Sequence, residues 1–162
     1  MNPREVIALR LRPALRECER HLARLHYAAE QGKSLFPLDA DAYDALSDSD
    51  IAILDQMLFR FGRLQDAIGQ RLLPAILHAG QEWRDDETFL DKLNRLEKLG
   101  VIPSASDWVQ LRDLRNSAIH EYPDDPEVNA ANLNKVFDEI AKLERNLRQA
   151  REFAEEHFSA TD

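Results

Sequence analysis

The sequence contains only one cysteine, Cys18, and no apolar run long enough to span a membrane. A single cysteine cannot form an intrachain disulfide, and a chain without disulfides is typical of the reducing cytoplasm. A membrane-spanning helix needs roughly 18 consecutive apolar residues. Residues 1–12 alternate charged and aliphatic side chains, whereas a signal peptide carries an uninterrupted apolar core. These absences favour a cytoplasmic protein that makes no membrane contact.

The sequence also lacks the short motifs of several enzyme classes. There is no Walker A sequence, no dinucleotide-binding glycine fingerprint and no G-x-S-x-G nucleophile elbow. The five histidines show no recognised metal-ligand spacing. The aspartate-rich segment 39–55 lacks the glycine and the terminal glutamate of a calcium loop. We therefore expect a protein that holds no metal and no cofactor.

Basic residues are fewer than acidic ones, and the formal net charge is -9. Such a balance disfavours a broad surface that grips nucleic acid electrostatically, because phosphate contacts come mainly from clustered lysines and arginines. The charge is uneven, since residues 34–55 carry six aspartates and no basic residue. Any anion site is therefore expected to be local. The acidic remainder suits either solubility or a basic partner protein.

Apolar residues recur at helical spacing and predict about five helices with no convincing strand. The predicted helices cover residues 3–31, a stretch from a cap within 47–49 through Leu72, about 86–99, a helix from near Asp107 into the segment around Arg115, and Pro126 to about Phe158. Pro13 is expected to kink the first helix or mark a restart, and Pro74 to bend or end the second. Residues 32–47 are predicted to form a loop whose Tyr43 and Leu46 pack back on the core. Together these elements predict an all-α fold, an antiparallel helical bundle in one domain spanning residues 1–162.

Residues 115–122 read Arg-Asn-Ser-Ala-Ile-His-Glu-Tyr and crowd Arg115, His120 and Tyr122 at the end of the fourth helix. On an ideal helix Arg115 points into the middle of an apolar arc, where a charge is costly to bury unless it is paired or liganded. His120 would point roughly 140° away from Arg115 on that helix. Two arrangements could bring them together: the helix unwinds near His120, as Pro123 favours, or a symmetric partner completes the site.

Less specific interpretations of the same residues also stand. Arg115 could pair inside the bundle with an acidic residue such as Asp113 or Glu121. His120 could act only as a favourable charge at a helix C-terminus, and Tyr122 could pack against the last helix. A guanidinium that keeps its proton beside an imidazole that exchanges one nevertheless suits proton transfer next to a phosphate.

The spacing of Arg115, His120 and Tyr122 resembles the R-x4-H-x-Y motif of HEPN-domain proteins of the HepT type. The order of the predicted helices is similar too, so the resemblance covers nearly the whole chain. It implies a dimeric, metal-independent RNA endonuclease that acts as a toxin. The toxin's partner would be a small MNT-type nucleotidyltransferase, an antitoxin that adds AMP to the motif tyrosine.

Carried over to this chain, the resemblance makes Arg115 and His120 the catalytic pair and Tyr122 the AMP-modified residue. Asn116 and Arg112 are expected to support them. The RNA 2'-hydroxyl is the nucleophile in such a reaction, so histidine need only move protons while arginine stabilises the anionic phosphorane.

Two other functions stay open at this point. The chain could be a non-catalytic, substrate-binding subunit that partners a nucleotidyltransferase, or a plain helical dimerisation module. Three arginines of the second helix, Arg60, Arg63 and Arg71, lie close to one helix face. They could extend an RNA-binding surface or form an ordinary solvated face.

Overall fold

The computed structural model describes residues 1–158, and every regular element among them is helical. The predicted all-α class is therefore confirmed. In chain order the elements are α1 (Pro3–Val6), a π-helical turn (Ile7–Leu11), α2 (Arg12–Gly32), a 3-10 turn (Lys33–Leu35), α3 (Ala40–Asp44), α4 (Asp48–Ala67), a second π-helical turn (Ile68–Leu72), α5 (Leu73–Ala79), α6 (Phe89–Leu99), α7 (Ala105–Ala118) and α8 (Pro126–Phe158). If each π turn is counted as part of one continuous helix, the described residues form six helices. The addition to the predicted five is the short α3, inside the predicted loop 32–47. The predicted single domain ends at residue 162, and its last four residues lie outside the described range.

The helix ends follow the capping residues more closely than the apolar pattern. Ser47 accepts a hydrogen bond from the Asp50 N–H at the start of α4, as predicted. Thr88 caps α6, so that helix begins at Phe89 and not near residue 86. Ser104 likewise starts α7 at Ala105, two residues before the predicted position. Boundary errors of this size arise because the apolar stripe does not reveal which polar residue closes the first turn.

The prolines inside the long helices do not end them. Pro13 and Pro74 each follow a π-helical turn by two residues, and the helix continues on the other side. Proline offers no N–H to the preceding turn, and the wider turn accommodates that loss without a break. Of the two outcomes predicted for Pro74, the end of the helix is wrong, because α5 continues the helix to Ala79.

Four long rods form an antiparallel bundle. Side chains that meet across helices show their directions: Glu17 with Arg71, His21 with Arg60, His26 with Glu144, Glu19 with Arg151, and, for α7, Trp108 with the position of Gly69 and Arg115 with that of Gly62. As the residue numbers rise along α2, the numbers of the partner residues decrease, both in the helix that contains α4 and in α8. Helices α2 and α7 therefore run one way, and α4 with α5 and α8 run the other. This arrangement confirms the predicted bundle.

The core lies between these rods and is almost entirely apolar. Trp108 of α7 and Phe61 of α4 are its largest fully buried side chains. Tyr43 and Leu46 pack against this core, as predicted for the segment before α4. No helix within residues 1–158 combines the length and the apolar character that a bilayer crossing requires.

Candidate functional site

The motif helix ends before the histidine. Helix α7 stops at Ala118, and Ile119 forms its C-terminal cap. The Ile119 N–H still donates to the Arg115 carbonyl at 3.4 Å, but the His120 N–H donates to Ser117 in a tighter turn at 3.3 Å. Of the two arrangements expected from the sequence, unwinding near His120 is the one observed. It brings Arg115 and His120 to the wall of one groove within a single chain.

This groove is about 760 Å³ in volume and lies where α4, α7 and α8 meet the segment of α3. Its lining mixes polar and apolar side chains, and three of the hydrophobic ones are strongly exposed: Ile51 at 42%, Phe59 at 57% and Ile119 at 55%. Scattered apolar side chains on a surface are normal, but a cluster around one concavity indicates a binding site. We call this concavity the motif groove.

The charges that line the motif groove are mixed. Carboxylates come from Asp44, Asp55, Asp66 and Glu121, and the guanidiniums come from Arg63 and Arg115. The groove is therefore not a broadly cationic channel, since its carboxylates outnumber its guanidiniums. The expectation that any anion site on this acidic protein would be local agrees with this distribution.

Arg115 is paired inside the chain. Its Nη2 donates to Oδ2 of Asp66 on α4 at 2.8 Å, and its Nη1 donates to Oδ1 of the adjacent Asn116 at 3.3 Å. Both members of the ion pair are 26% exposed at the side chain. The Arg115 Nε is buried and has no hydrogen-bond partner among the described residues. The reasoning that α7 itself cannot supply the counter-charge is confirmed.

The two internal partners named from the sequence, Asp113 and Glu121, were wrong, because Arg115 pairs with Asp66 instead. Glu121 accepts a hydrogen bond from the Tyr43 hydroxyl at 3.0 Å, and the Asp113 carbonyl accepts one from Ser117. Burial and the neighbouring Glu121 carboxylate raise the pKa of the Tyr43 phenol above its ordinary value. Glu121 is thus committed to α3, and Arg115 is left to Asp66.

His120 and Tyr122 differ in their placement. His120 is exposed, lines the motif groove, and makes no side-chain hydrogen bond within residues 1–158. Tyr122 is 43% exposed but is not part of the groove wall. Its backbone is held by the buried Asn129 of α8, which accepts from the Tyr122 N–H at 3.0 Å and donates to the Tyr122 carbonyl at 2.9 Å. The structure therefore places Arg115 and His120 on the lining of one groove and leaves the solvent-exposed Tyr122 side chain outside it.

The two residues expected to support the catalytic pair, Asn116 and Arg112, lie in different surroundings. Asn116 contacts the Arg115 guanidinium directly. Arg112 instead lies over the ring of Phe89 on α6, with its guanidinium carbon 4.9 Å from the ring centre, and it does not line the motif groove. The arginines of the second predicted helix divide similarly. Arg63 lines the groove, whereas Arg60 bonds His21 and Arg71 pairs with Glu17.

Asp66, Gly62 and Asn129 belong to the site and were not found from the sequence. Gly62 lies under Arg115, and a Cβ built there would be 3.8 Å from the Arg115 Cγ and Nε. A glycine inside an apolar helical pattern signals close approach of another element, so Gly62 was the available clue. Asp66 follows it one turn later on the same helix. Within residues 1–158, no cluster of three or more histidine, cysteine, aspartate or glutamate side chains is arranged to hold a metal.

Comparisons of the chain with protein-family models, with curated proteins and with solved structures give no match. The resemblance to HEPN proteins therefore rests on Arg115, His120 and Tyr122 and on the order of the helices.

Proposed function

We propose that the protein is a metal-independent endoribonuclease, the toxin of a HEPN/MNT toxin-antitoxin pair, with Arg115 and His120 as its catalytic residues. The observation that supports this most is that both side chains line one groove at the end of α7. His120 is solvent-exposed there, as a group that exchanges protons with a substrate must be. Arg115 retains unshared N–H donors on its Nη atoms, because these atoms carry four of the five guanidinium donors and Asp66 and Asn116 take one each.

The proposed reaction uses the nucleophile that RNA carries. The 2'-oxygen attacks the adjacent phosphorus, and the bond from phosphorus to the 5'-oxygen breaks. His120 takes the 2'-hydroxyl proton, and the resulting imidazolium gives a proton to the leaving 5'-oxygen, while Arg115 stabilises the charge on the non-bridging oxygens. The products are a 2',3'-cyclic phosphate and a 5'-hydroxyl end. Since the nucleophile and both proton transfers come from RNA and protein, cleavage should persist in EDTA.

A second copy of the chain is part of the proposal. The exposed side chains of Ile51, Phe59 and Ile119 beside the motif offer apolar area that a homodimer would bury. A two-fold axis there would face two motifs across one cleft. Sedimentation of the wild type and of Ile119→Glu tests this point. A monomeric wild type contradicts the dimer.

The catalytic test measures cleavage of an end-labelled, mixed-sequence RNA by purified protein in EDTA. His120→Ala should lower the rate about 10²–10⁴-fold, the usual contribution of a positioned acid or base. Arg115→Ala should lower it about 10²–10³-fold through lost charge stabilisation. The matched controls are His26→Ala and Arg84→Ala, which remove a histidine and an arginine from ion pairs outside the motif groove. Equal cleavage by wild type and His120→Ala would reject the proposal.

The proposed antitoxin is a nucleotidyltransferase that adds one AMP to the Tyr122 hydroxyl. The 43% exposure of Tyr122 supports its access to a second enzyme. The added phosphate places bulk and negative charge beside the groove, which would repel a polyanionic substrate. Intact-mass spectrometry with partner and ATP should show one AMP on the wild type and none on Tyr122→Phe. A modification that survives Tyr122→Phe would assign another residue.

A second candidate function is a non-catalytic, substrate-binding subunit of a nucleotidyltransferase. The Arg115–Asp66 ion pair favours it, because the guanidinium charge is already balanced within the chain. The exposed apolar side chains of the motif groove, Ile51, Phe59 and Ile119, suit a partner surface equally well. Under this alternative the protein would bind the partner enzyme with His120 and Arg115 replaced by alanine, and no variant would cleave RNA.

A further inference from the structure

Helix α4 shapes the surroundings of Arg115 in two ways. Gly62 leaves room for the aliphatic stem of Arg115, which lies within ordinary contact distance of a Cβ built there. One turn further along, Asp66 reaches the far end of the same side chain. The stem and the guanidinium of Arg115 are thus both guided by one face of α4.

The Arg115 guanidinium is bound to Asp66 through one nitrogen, Nη2. A single bond at 2.8 Å joins Nη2 to Asp66 Oδ2, and the only other bond from this guanidinium within residues 1–158 is the longer one at 3.3 Å from Nη1 to Asn116. The Nε edge is buried with no acceptor within the described residues. The contact is therefore not the two-pronged fork in which a carboxylate occupies a whole edge of the guanidinium. Donors on the Nη end stay available for a second anion.

We infer that Asp66 is a positioning residue, which holds the Arg115 guanidinium so that its Nη end faces the motif groove. This inference rests on the proposed ribonuclease function, because the anion that the oriented Arg115 guanidinium would contact is the scissile phosphate. Rotations about the long arginine side chain would otherwise spread the guanidinium over many orientations. Asp66 restricts them and leaves the catalytic contact to Arg115.

Two other roles for Asp66 give opposite results. If Asp66 only stabilised the fold, its removal would lower the unfolding temperature and leave turnover unchanged at a temperature where the variant is folded. If Asp66 competed with the substrate phosphate for Arg115, its removal would raise activity. A positioning role predicts a fall in kcat without a rise in KM, since the unpaired Arg115 attracts the substrate at least as strongly.

The experiment measures kcat and KM for RNA cleavage by wild type, Asp66→Asn, Asp66→Ala and Asp55→Asn. Asp55 lines the same groove on the same helix and makes no side-chain ion pair within residues 1–158, so Asp55→Asn matches the lost charge alone. We expect kcat of Asp66→Ala to fall about 10²-fold, the scale of a misplacement of about 1 Å. Asp66→Asn should lie between the wild type and Asp66→Ala, and both Asp66 variants should fall below Asp55→Asn.

A second readout does not depend on turnover. In NMR spectra of ¹⁵N-arginine protein, the Arg115 side-chain Nε–H signal, assigned with Arg115→Lys, should report a restricted guanidinium in the wild type and in Asp55→Asn. The restriction should be lost in Asp66→Ala. Unchanged Arg115 dynamics, or kcat equal to that of Asp55→Asn, would overturn the inference while a His120-dependent wild-type activity keeps the proposed function. A wild type that does not cleave RNA would overturn both.

Discussion

Two glycines of one helix predict how closely the motif helix packs. Gly62 lies in α4 and Gly69 in the π-helical turn that follows it, and both face α7. A Cβ at Gly62 would be 3.8 Å from the nearest atoms of Arg115, which is an ordinary contact. A Cβ at Gly69 would be 3.0 Å from Cζ2 of Trp108, whose side chain is fully buried. The same substitution therefore has different consequences at the two positions.

The magnitude follows from two opposing terms. Replacing glycine by alanine inside a helix stabilises the folded protein by about 0.5–1 kcal/mol. At Gly62 nothing opposes this gain. At Gly69 the indole must shift in a packed core, which costs about 1–3 kcal/mol. Because the helix contribution is similar in both variants, their free energies of unfolding should differ by about 1–3 kcal/mol, with Gly69→Ala the less stable.

Urea unfolding followed by far-ultraviolet circular dichroism measures this difference. In thermal unfolding, each 1 kcal/mol should move Tm by about 2–4 °C for a chain of this size. Trp108→Phe in the Gly69→Ala background is the matched relief variant, because it removes the overlapping ring, and the buried Trp108 Nε1 has no hydrogen-bond partner within residues 1–158. The two changes should be coupled favourably by roughly 1 kcal/mol or more. Equal shifts for Gly62→Ala and Gly69→Ala, with no coupling to Trp108, would refute the packing of α7 on α4.

Three further predictions concern the ends of helices and a buried histidine. Gly100→Ala should lower stability by about 1–2 kcal/mol in urea unfolding, because Gly100 ends α6 at φ 84, where a Cβ is strained; an unchanged midpoint would contradict this cap. Asn129→Ala should speed amide hydrogen exchange at Tyr122, whose N–H loses its acceptor; protection equal to wild type would show that Asn129 does not hold the motif loop. Burial lowers the pKa of His21 below its ordinary value of 6.5, so the unfolded state binds more protons, and stability should fall as pH drops through 6.5 towards the lower folded-state pKa. The slope of unfolding free energy against pH should be shallower in His21→Gln, and an equal slope would exclude the histidine as its source.

Local sequence signals predicted most of the fold. Apolar spacing located the long helices, and the cap expected within residues 47–49 is Ser47 at the start of α4. These features depend on residues within one or two turns of each other. An end of the helix at Pro74 was wrong, because a π-helical turn precedes the proline and the helix continues to Ala79. The short α3 was missed because five residues carry too little periodicity.

At the candidate site, too, some features followed from the sequence and others only from the tertiary structure. The sequence alone identified the motif residues Arg115, His120 and Tyr122. It also indicated that a charge on an apolar helix face is costly to bury and needs a counter-charge from another helix. Only the tertiary structure decided that this counter-charge is Asp66 and that Arg112 lies outside the motif groove. It also decided that α7 ends before His120, so that His120 and Arg115 line the same groove. The physical reason is distance along the chain: helix periodicity and capping are set by neighbours a few residues away, whereas an ion pair between residues 49 apart depends on how two helices pack.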